Sequence, residues 1–114
     1  MSYPIKIYKV TYKIRAIENL REIYTYISEV LLSPTYAKDI IKDIGVRCSS
    51  LSTLPYRYPS VNIEFCPVIR KTTVKNYTIF YLIDEKKLAV DILLVKYSGS
   101  NFDDELEDSY KDLN

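Results

Sequence analysis

The sequence predicts an α+β fold in which an N-terminal helical hairpin packs on a mainly antiparallel four-stranded sheet, in the order β-α-α-β-β-β. One early segment and three late segments are rich in β-branched and aromatic residues, which is typical of strands. Two segments between them repeat apolar residues at three- and four-residue spacing, which is typical of amphipathic helices. With 114 residues, we expect one domain over 1–100 and an acidic tail over 101–114.

The first half of the chain predicts a strand followed by two helices. Residues 5–12 predict the strand because β-branched and aromatic side chains are interleaved there with lysines. Arg15–Leu32 predicts the first helix. Ser33 and Pro34 are a typical helix start, and the second apolar stripe runs to Leu51. Because the connection is so short, we expect an antiparallel hairpin.

The second half predicts three strands: Val68–Val74, Tyr77–Ile83 and Leu88–Tyr97. The middle strand is apolar on both faces, which favours a central position in the sheet. Between the first two strands, Lys75 and Asn76 predict a turn with a left-handed residue.

Alternation assigns the last strand's side chains to two faces. Val90, Ile92 and Leu94 are expected on one face, and Asp91 and Tyr97 on the other.

Composition excludes several classes of function. There is no histidine, so the usual imidazole base of serine and cysteine nucleophiles is missing, as is the commonest metal ligand. Cys48 and Cys66 lack the spacing of a metal site and are too few for a disulfide framework. No apolar run approaches the roughly 18 residues of a membrane span. We therefore expect a soluble cytoplasmic protein that has no cofactor or metal and does not engage a membrane.

Charge is unevenly distributed along the chain. Residues 101–114 carry six acidic side chains and one lysine, for a net charge of −5, whereas residues 1–100 carry fifteen basic and nine acidic side chains, for +6. The tail is either a frayed, solvated end or an acidic strap that covers a basic face of this or another chain.

The strand that begins at Val68 contains the strongest candidate site. Arg70, Lys71 and Lys75 lie on this strand and its turn, where they could hold phosphates or stabilise charge on a phosphoryl transition state. The alternative is a solvent-facing strand in which the lysine and arginine residues serve only for solubility.

Several segments carry a resemblance to a known family: residues 8–10, 16–27, 33–37, 51–55, 70–85 and 90–95. In this order and spacing, the chain from about residue 5 to 100 resembles the RelE/ParE toxin superfamily. The resemblance implies a small cytoplasmic toxin of a prokaryotic type II toxin–antitoxin system, held inactive by a cognate antitoxin. It also implies one of two targets, because RelE-type members cut mRNA on the ribosome whereas ParE-type members inhibit DNA gyrase.

The RelE-type set of functional residues is only partly present. Lys71 matches a position that is basic in that branch, but Thr78 stands where those nucleases place arginine, and residues 95–100 offer Lys96 and Tyr97 in place of a histidine- or arginine-rich stretch. As an endoribonuclease, the chain would use Arg70 or Lys71 to stabilise the transition state and Tyr97 as the acid, with no obvious base.

The longer helical hairpin favours the ParE-like branch, in which the toxin acts by binding. A third hypothesis is a toxin fold that has lost its toxicity. In each case we expect the antitoxin to bury an amphipathic segment by helix-in-groove docking or strand addition. Tyr26 and Val30, which lie off the main apolar stripe of the first helix, are the candidate partner-binding residues.

Overall fold

A computed structural model of the chain describes residues 5–61 and 68–112, so Cys66 lies outside the described residues. The described residues form four strands and three helices, which are β1 (Lys9–Tyr12), α1 (Ile14–Thr25), α2 (Pro34–Ser50), β2 (Arg70–Val74), β3 (Tyr77–Asp84), β4 (Ala89–Tyr97) and α3 (Asp103–Lys111). A π-helical turn, Tyr26–Val30, continues α1, and a short 3₁₀ turn, Pro55–Arg57, follows α2.

The four strands form one sheet in the order β1-β4-β3-β2. β2, β3 and β4 are paired antiparallel, whereas β1 is paired parallel to β4. β3 is therefore central, as its two apolar faces predict. The α+β class and the helical hairpin on a mainly antiparallel sheet are confirmed.

The helical hairpin forms where predicted, but its first helix is not uniform. α1 ends at Thr25 and the chain continues as a π-helical turn to Val30, so the predicted single helix over 15–32 is interrupted. Pro34 begins α2 as predicted, although the Ser33 hydroxyl donates to the Leu31 carbonyl at 3.2 Å and does not cap the helix. A Cβ on Gly45 would meet no atom within 4 Å, so close packing does not explain this glycine.

Apolar side chains are buried on both faces of the sheet. One core lies between the sheet and the helical hairpin, and among its fully buried side chains are Ile27, Ile40, Ile44, Ile79, Tyr81 and Ile92. The other core lies beneath α3 and contains Val61, Ile69, Phe80, Leu93, Leu94 and Leu106. The sheet is therefore covered on both sides, which makes α3 part of the packed structure.

The acidic tail is held in place by both packing and charge. Leu106 of α3 is fully buried, and the Glu105 carboxylate lies 2.8 Å from Nζ of Lys96. Asp112 pairs with Arg15 at 3.1 Å. Residues 103–111 therefore lie against this chain, and the frayed end is wrong for them, but the surface beneath α3 is mainly apolar and not the basic face of the predicted strap.

A β-bulge in β4 changes which side chains share a face. Tyr81 pairs with Ile92 but Phe80 pairs with Leu94, so Leu93 is an extra residue in β4. As a result Leu94 packs beneath α3, on the face opposite Ile92, and the prediction that these two residues share a face is wrong. Beyond the bulge Tyr97 pairs with Tyr77 and lies on the hairpin face, which also corrects its predicted face.

Candidate binding site

The three candidate catalytic residues lie in different places. Arg70 pairs with Tyr81 in the sheet register, whereas Tyr97 pairs with Tyr77, four residues earlier in β3. At roughly 3.3 Å per residue this separates them by about 13 Å along the strand direction. Lys71 follows Arg70 in the strand and faces the opposite side of the sheet. The structure therefore does not bring Arg70, Lys71 and Tyr97 together.

Arg70 belongs to a group of side chains that anchors the loop after α2. Its Nη1 donates to the carbonyl oxygens of Tyr56 at 3.1 Å and Tyr58 at 2.5 Å, and its guanidinium carbon lies 5.0 Å from the Tyr56 ring centre. The guanidinium groups of Arg47 and Arg57 lie 5.4 and 4.9 Å from the ring centre of Tyr58. We call these five residues the arginine–tyrosine clamp. In the clamp Arg70 already has protein acceptors, which favours a structural role.

A second group of tyrosines lines an open groove at the other end of the sheet. Tyr26 comes from the π-helical turn, Tyr36 from α2, Tyr77 from β3 and Tyr97 from β4, and the groove has a volume of about 570 Å³. Tyr77 and Tyr97 make an edge-to-face contact with ring centres 6.2 Å apart. We call this site the tyrosine groove. It brings together Tyr26 and Tyr97, which sequence analysis assigned to two different sites.

The walls of the groove are aromatic and its floor is apolar. Ile23, Ile27 and Val95 line it between the rings, and Tyr26, Tyr36 and Tyr97 are about half exposed. Partial burial raises the pKa of Tyr77, and the three other tyrosine hydroxyls of the groove raise it further because an additional anion would lie close to them.

The position of Tyr97 depends on its neighbour Gly99. A Cβ placed on Gly99 would lie 2.8 Å from Cε1 of the Tyr97 ring, which is too close for an unchanged ring position. The backbone N–H of Ser100 donates to the Tyr97 carbonyl at 2.9 Å, and that of Ser98 donates to the Asn76 carbonyl at 2.8 Å. The turn after β4 is therefore shaped around the ring of Tyr97.

Exposed apolar residues extend from the groove to the tip of the helical hairpin. Val30, Leu31 and Leu32 are 63%, 51% and 80% exposed, and Leu31 also lines the groove. We call these three residues the hairpin tip. Leu32 has a φ of 53°, in the left-handed region that costs a leucine about 1 kcal/mol or more. The tip thus combines backbone strain with exposed apolar surface, and both features reduce the stability of the isolated chain.

The family to which the chain belongs is decided by comparison with known sequences. A family model described as the ParE toxin of type II toxin–antitoxin system, parDE, matches residues 10–102. The chain belongs to the ParE toxin family. The match begins at the second residue of β1, includes the helical hairpin and the other three strands of this toxin, and ends just before α3. No curated protein matches the sequence significantly.

Solved structures share the fold of this ParE-family chain. A chain from a chromosomal ParDE toxin–antitoxin system of P. aeruginosa has a TM-score of 0.68 at 18% identity, with 81% of this chain and 97% of that chain covered. A chain from a RelBE toxin–antitoxin complex of Mycobacterium tuberculosis gives 0.58 at 20% identity, with coverages of 82% and 94%. A double mutant of the E. coli toxin RelE in the free state gives 0.62 at 12% identity, with coverages of 95% and 99%.

Sequence analysis missed most of the groove of this ParE-family toxin. Tyr36 follows the predicted helix start without any pattern that marks it as a binding residue, and Tyr77 belongs to a strand that was predicted only to be central in the sheet. Within residues 5–61 and 68–112 no group of three potential metal ligands is found. No helix in these ranges is both long and apolar enough to span a bilayer.

Proposed function

We propose that this ParE-family toxin acts by binding a large macromolecular target, such as DNA gyrase, and that its cognate antitoxin neutralises it by occupying the tyrosine groove and the hairpin tip. The observation that carries the proposal is the groove itself, in which half-exposed tyrosines surround an apolar floor. Tyrosines in such a setting are typical of interaction hot spots, because a rigid ring contributes a large contact area at a small entropic cost.

An antitoxin segment is the occupant that the groove fits best. The groove is open and continues onto the hairpin tip, so an extended or helical segment can lie along both. The similar proteins from P. aeruginosa and Mycobacterium tuberculosis are described as a ParDE toxin–antitoxin system and a RelBE toxin–antitoxin complex. Contact with a partner would also compensate for the strain at Leu32, because its exposed side chain would then be buried.

The positions of the basic residues support binding over RNA cleavage. A phosphoryl transition state needs its stabilising cation and its acid at one reacting centre. Here the Arg70 guanidinium donates to loop carbonyls, Lys71 faces the other side of the sheet, and Tyr97 lies about 13 Å away in register. A ribosome-dependent endoribonuclease that uses these three residues remains the alternative hypothesis.

The antitoxin site is tested with variants matched for exposure. Tyr26→Ala and Val30→Ala are expected to weaken binding of the cognate antitoxin by roughly tenfold or more each, measured by calorimetry. Tyr24→Ala and Val46→Ala remove the same types of exposed side chain from the hairpin outside the groove, so they serve as controls. If the two controls weaken binding as much as Tyr26→Ala and Val30→Ala do, the antitoxin uses the outer face of the hairpin and the proposed site is wrong.

The target is tested by expressing the toxin without its antitoxin. We expect growth arrest, inhibition of DNA supercoiling by purified gyrase, and no cleavage of mRNA. Codon-dependent mRNA cuts that disappear in Lys71→Ala would support the endoribonuclease and contradict the gyrase target. Normal growth at a verified level of folded protein would support a fold that has lost its toxicity.

A further inference from the structure

The charges around the tyrosine groove are unbalanced. Glu22 lines the groove, and among the described residues no basic group lies within ion-pair distance of its carboxylate. Lys96 also lines the groove, but its ammonium lies 2.8 Å from the carboxylate of Glu105 on α3, which also accepts a hydrogen bond from the groove residue Asn19 at 3.4 Å. The groove therefore presents one unpaired carboxylate and no unpaired cation from the described part of the chain.

The rings of the groove add to this negative character. The face of an aromatic ring carries partial negative charge and attracts ammonium and guanidinium groups within about 6 Å. Four tyrosines, namely Tyr26, Tyr36, Tyr77 and Tyr97, line one groove. Their clustering makes the space between them favourable for a cation.

One ring of the groove already attracts a cation of this chain. Nζ of Lys75 lies 6.0 Å from the ring centre of Tyr36 and 3.4 Å from Oδ2 of Asp43. A tyrosine ring and a carboxylate thus hold an ammonium group together at the rim of the groove. Glu22 and the remaining rings also line the groove, and Lys96, the cation among the described lining residues, is paired with Glu105 and not with Glu22.

We propose that the tyrosine groove binds an arginine side chain of the antitoxin as a basic anchor. The methylene stem lies along the apolar floor formed by Ile23, Ile27 and Val95, and the guanidinium lies against the tyrosine faces and close to Glu22. Arginine fits better than lysine because its planar, weakly hydrated guanidinium stacks on aromatic rings. This inference rests on the proposed function, since the antitoxin supplies the anchor.

The inference is tested with a small probe, independently of any antitoxin. N-acetyl-argininamide is titrated into the full chain, and the tyrosine ring signals are followed by NMR. The neutral isostere N-acetyl-citrullinamide is the matched probe. We expect saturable shifts at Tyr26, Tyr77 and Tyr97, and about threefold to thirtyfold weaker binding of the citrulline probe.

Two variants locate the probe within the chain. Tyr97→Ala and Glu22→Gln are each expected to weaken arginine binding at least about threefold, because they remove a ring face and the unpaired carboxylate. Tyr56→Ala is the control, since Tyr56 is 49% exposed but lies outside the groove against Arg70. Equal shifts with the arginine and citrulline probes, or arginine shifts centred on Tyr56, would overturn the inference.

The outcome is separable from that of the proposed function. If Tyr26→Ala weakens antitoxin binding but the arginine probe binds no better than citrulline, the groove binds the antitoxin without a basic anchor, and only this inference is wrong. If the arginine probe binds selectively but antitoxin binding is indifferent to Tyr26 and Tyr97, the groove binds cations and the proposed antitoxin site is wrong, which overturns the anchor as well.

Discussion

The two ends of the sheet use tyrosine in opposite ways. At the arginine–tyrosine clamp, Tyr56 and Tyr58 are faced by guanidinium groups, and the nearby Tyr81 hydroxyl donates to the Pro55 carbonyl at 2.6 Å. In the tyrosine groove the rings of Tyr77 and Tyr97 contact each other, and Tyr36 is the one groove tyrosine for which the described residues show a facing cation, from Lys75. The contrast favours a structural role for the clamp and supports our proposal that the groove binds a partner.

The largest effect on stability is expected at the clamp. Arg70→Ala removes the guanidinium group that donates hydrogen bonds to the carbonyl oxygens of Tyr56 and Tyr58. It should lower the free energy of unfolding by about 2 kcal/mol, measured by urea denaturation. Lys71→Ala, at the adjacent exposed position, should change it by less than about 0.5 kcal/mol. Antitoxin binding should be unchanged in both. A loss of affinity in folded Arg70→Ala would show that the two ends are not independent.

The next largest expected effect is a loss of antitoxin affinity, and it is tested by substituting each of the two glycines of the chain. Gly99→Ala forces the Tyr97 ring to move, so we expect roughly tenfold weaker antitoxin binding with little loss of stability, because the ring is half exposed. Gly45→Ala meets no atom and should stabilise α2 by up to about 1 kcal/mol without a change in affinity. Unchanged affinity of Gly99→Ala would mean that the position of Tyr97 does not matter for binding.

A smaller effect on stability is expected at two strained leucines, one near the tyrosine groove and one near the clamp, and only one of them should affect antitoxin binding. Leu32 and Leu54 both have positive φ values, 53° and 49°, and both are highly exposed. Asparagine tolerates this conformation, so Leu32→Asn and Leu54→Asn should each raise the free energy of unfolding by about 1 kcal/mol or less. Only Leu32→Asn should weaken antitoxin binding. If both variants bind normally, the strain at Leu32 is not retained for the partner.

Local sequence patterns were sufficient for the elements but not for the groove. The apolar spacing of the hairpin and the turn at Lys75, which has a φ of 52°, follow from interactions between near neighbours. The bulge at Leu93 arises from pairing with β3, so alternation along β4 alone placed Tyr97 on the wrong face. Leucine is not a residue that marks a left-handed turn, so nothing in the sequence indicated the strain at Leu32.

The smallest expected effect is a pH dependence of the packing of α3. This helix is connected to the groove by Lys96, which lines the groove and pairs with Glu105 of α3. Burial raises the pKa of Glu105, but hydrogen bonds from Lys96 and Asn19 outweigh this and hold it below its ordinary value. The ionised carboxylate therefore stabilises the folded state fully above its ordinary pKa, and this contribution is lost as the pH falls through the lowered value. We expect acidification from about pH 6 to about pH 3 to loosen α3. The NMR signals of the Leu106 methyl groups measure this change.

The pH dependence has a matched control in the same helix. Glu105→Gln should abolish the part of the change that comes from this carboxylate, whereas Asp103→Asn, at an exposed position of α3, should leave it unaltered. If only Leu106 responds to pH and the Tyr97 ring does not, the attachment of α3 and the shape of the groove are separate properties. If the signals of Leu106 and Tyr97 respond together and Glu105→Gln removes both responses, the acidic tail controls the shape of the groove. Of the clamp and the groove, only the clamp would then have a purely structural role.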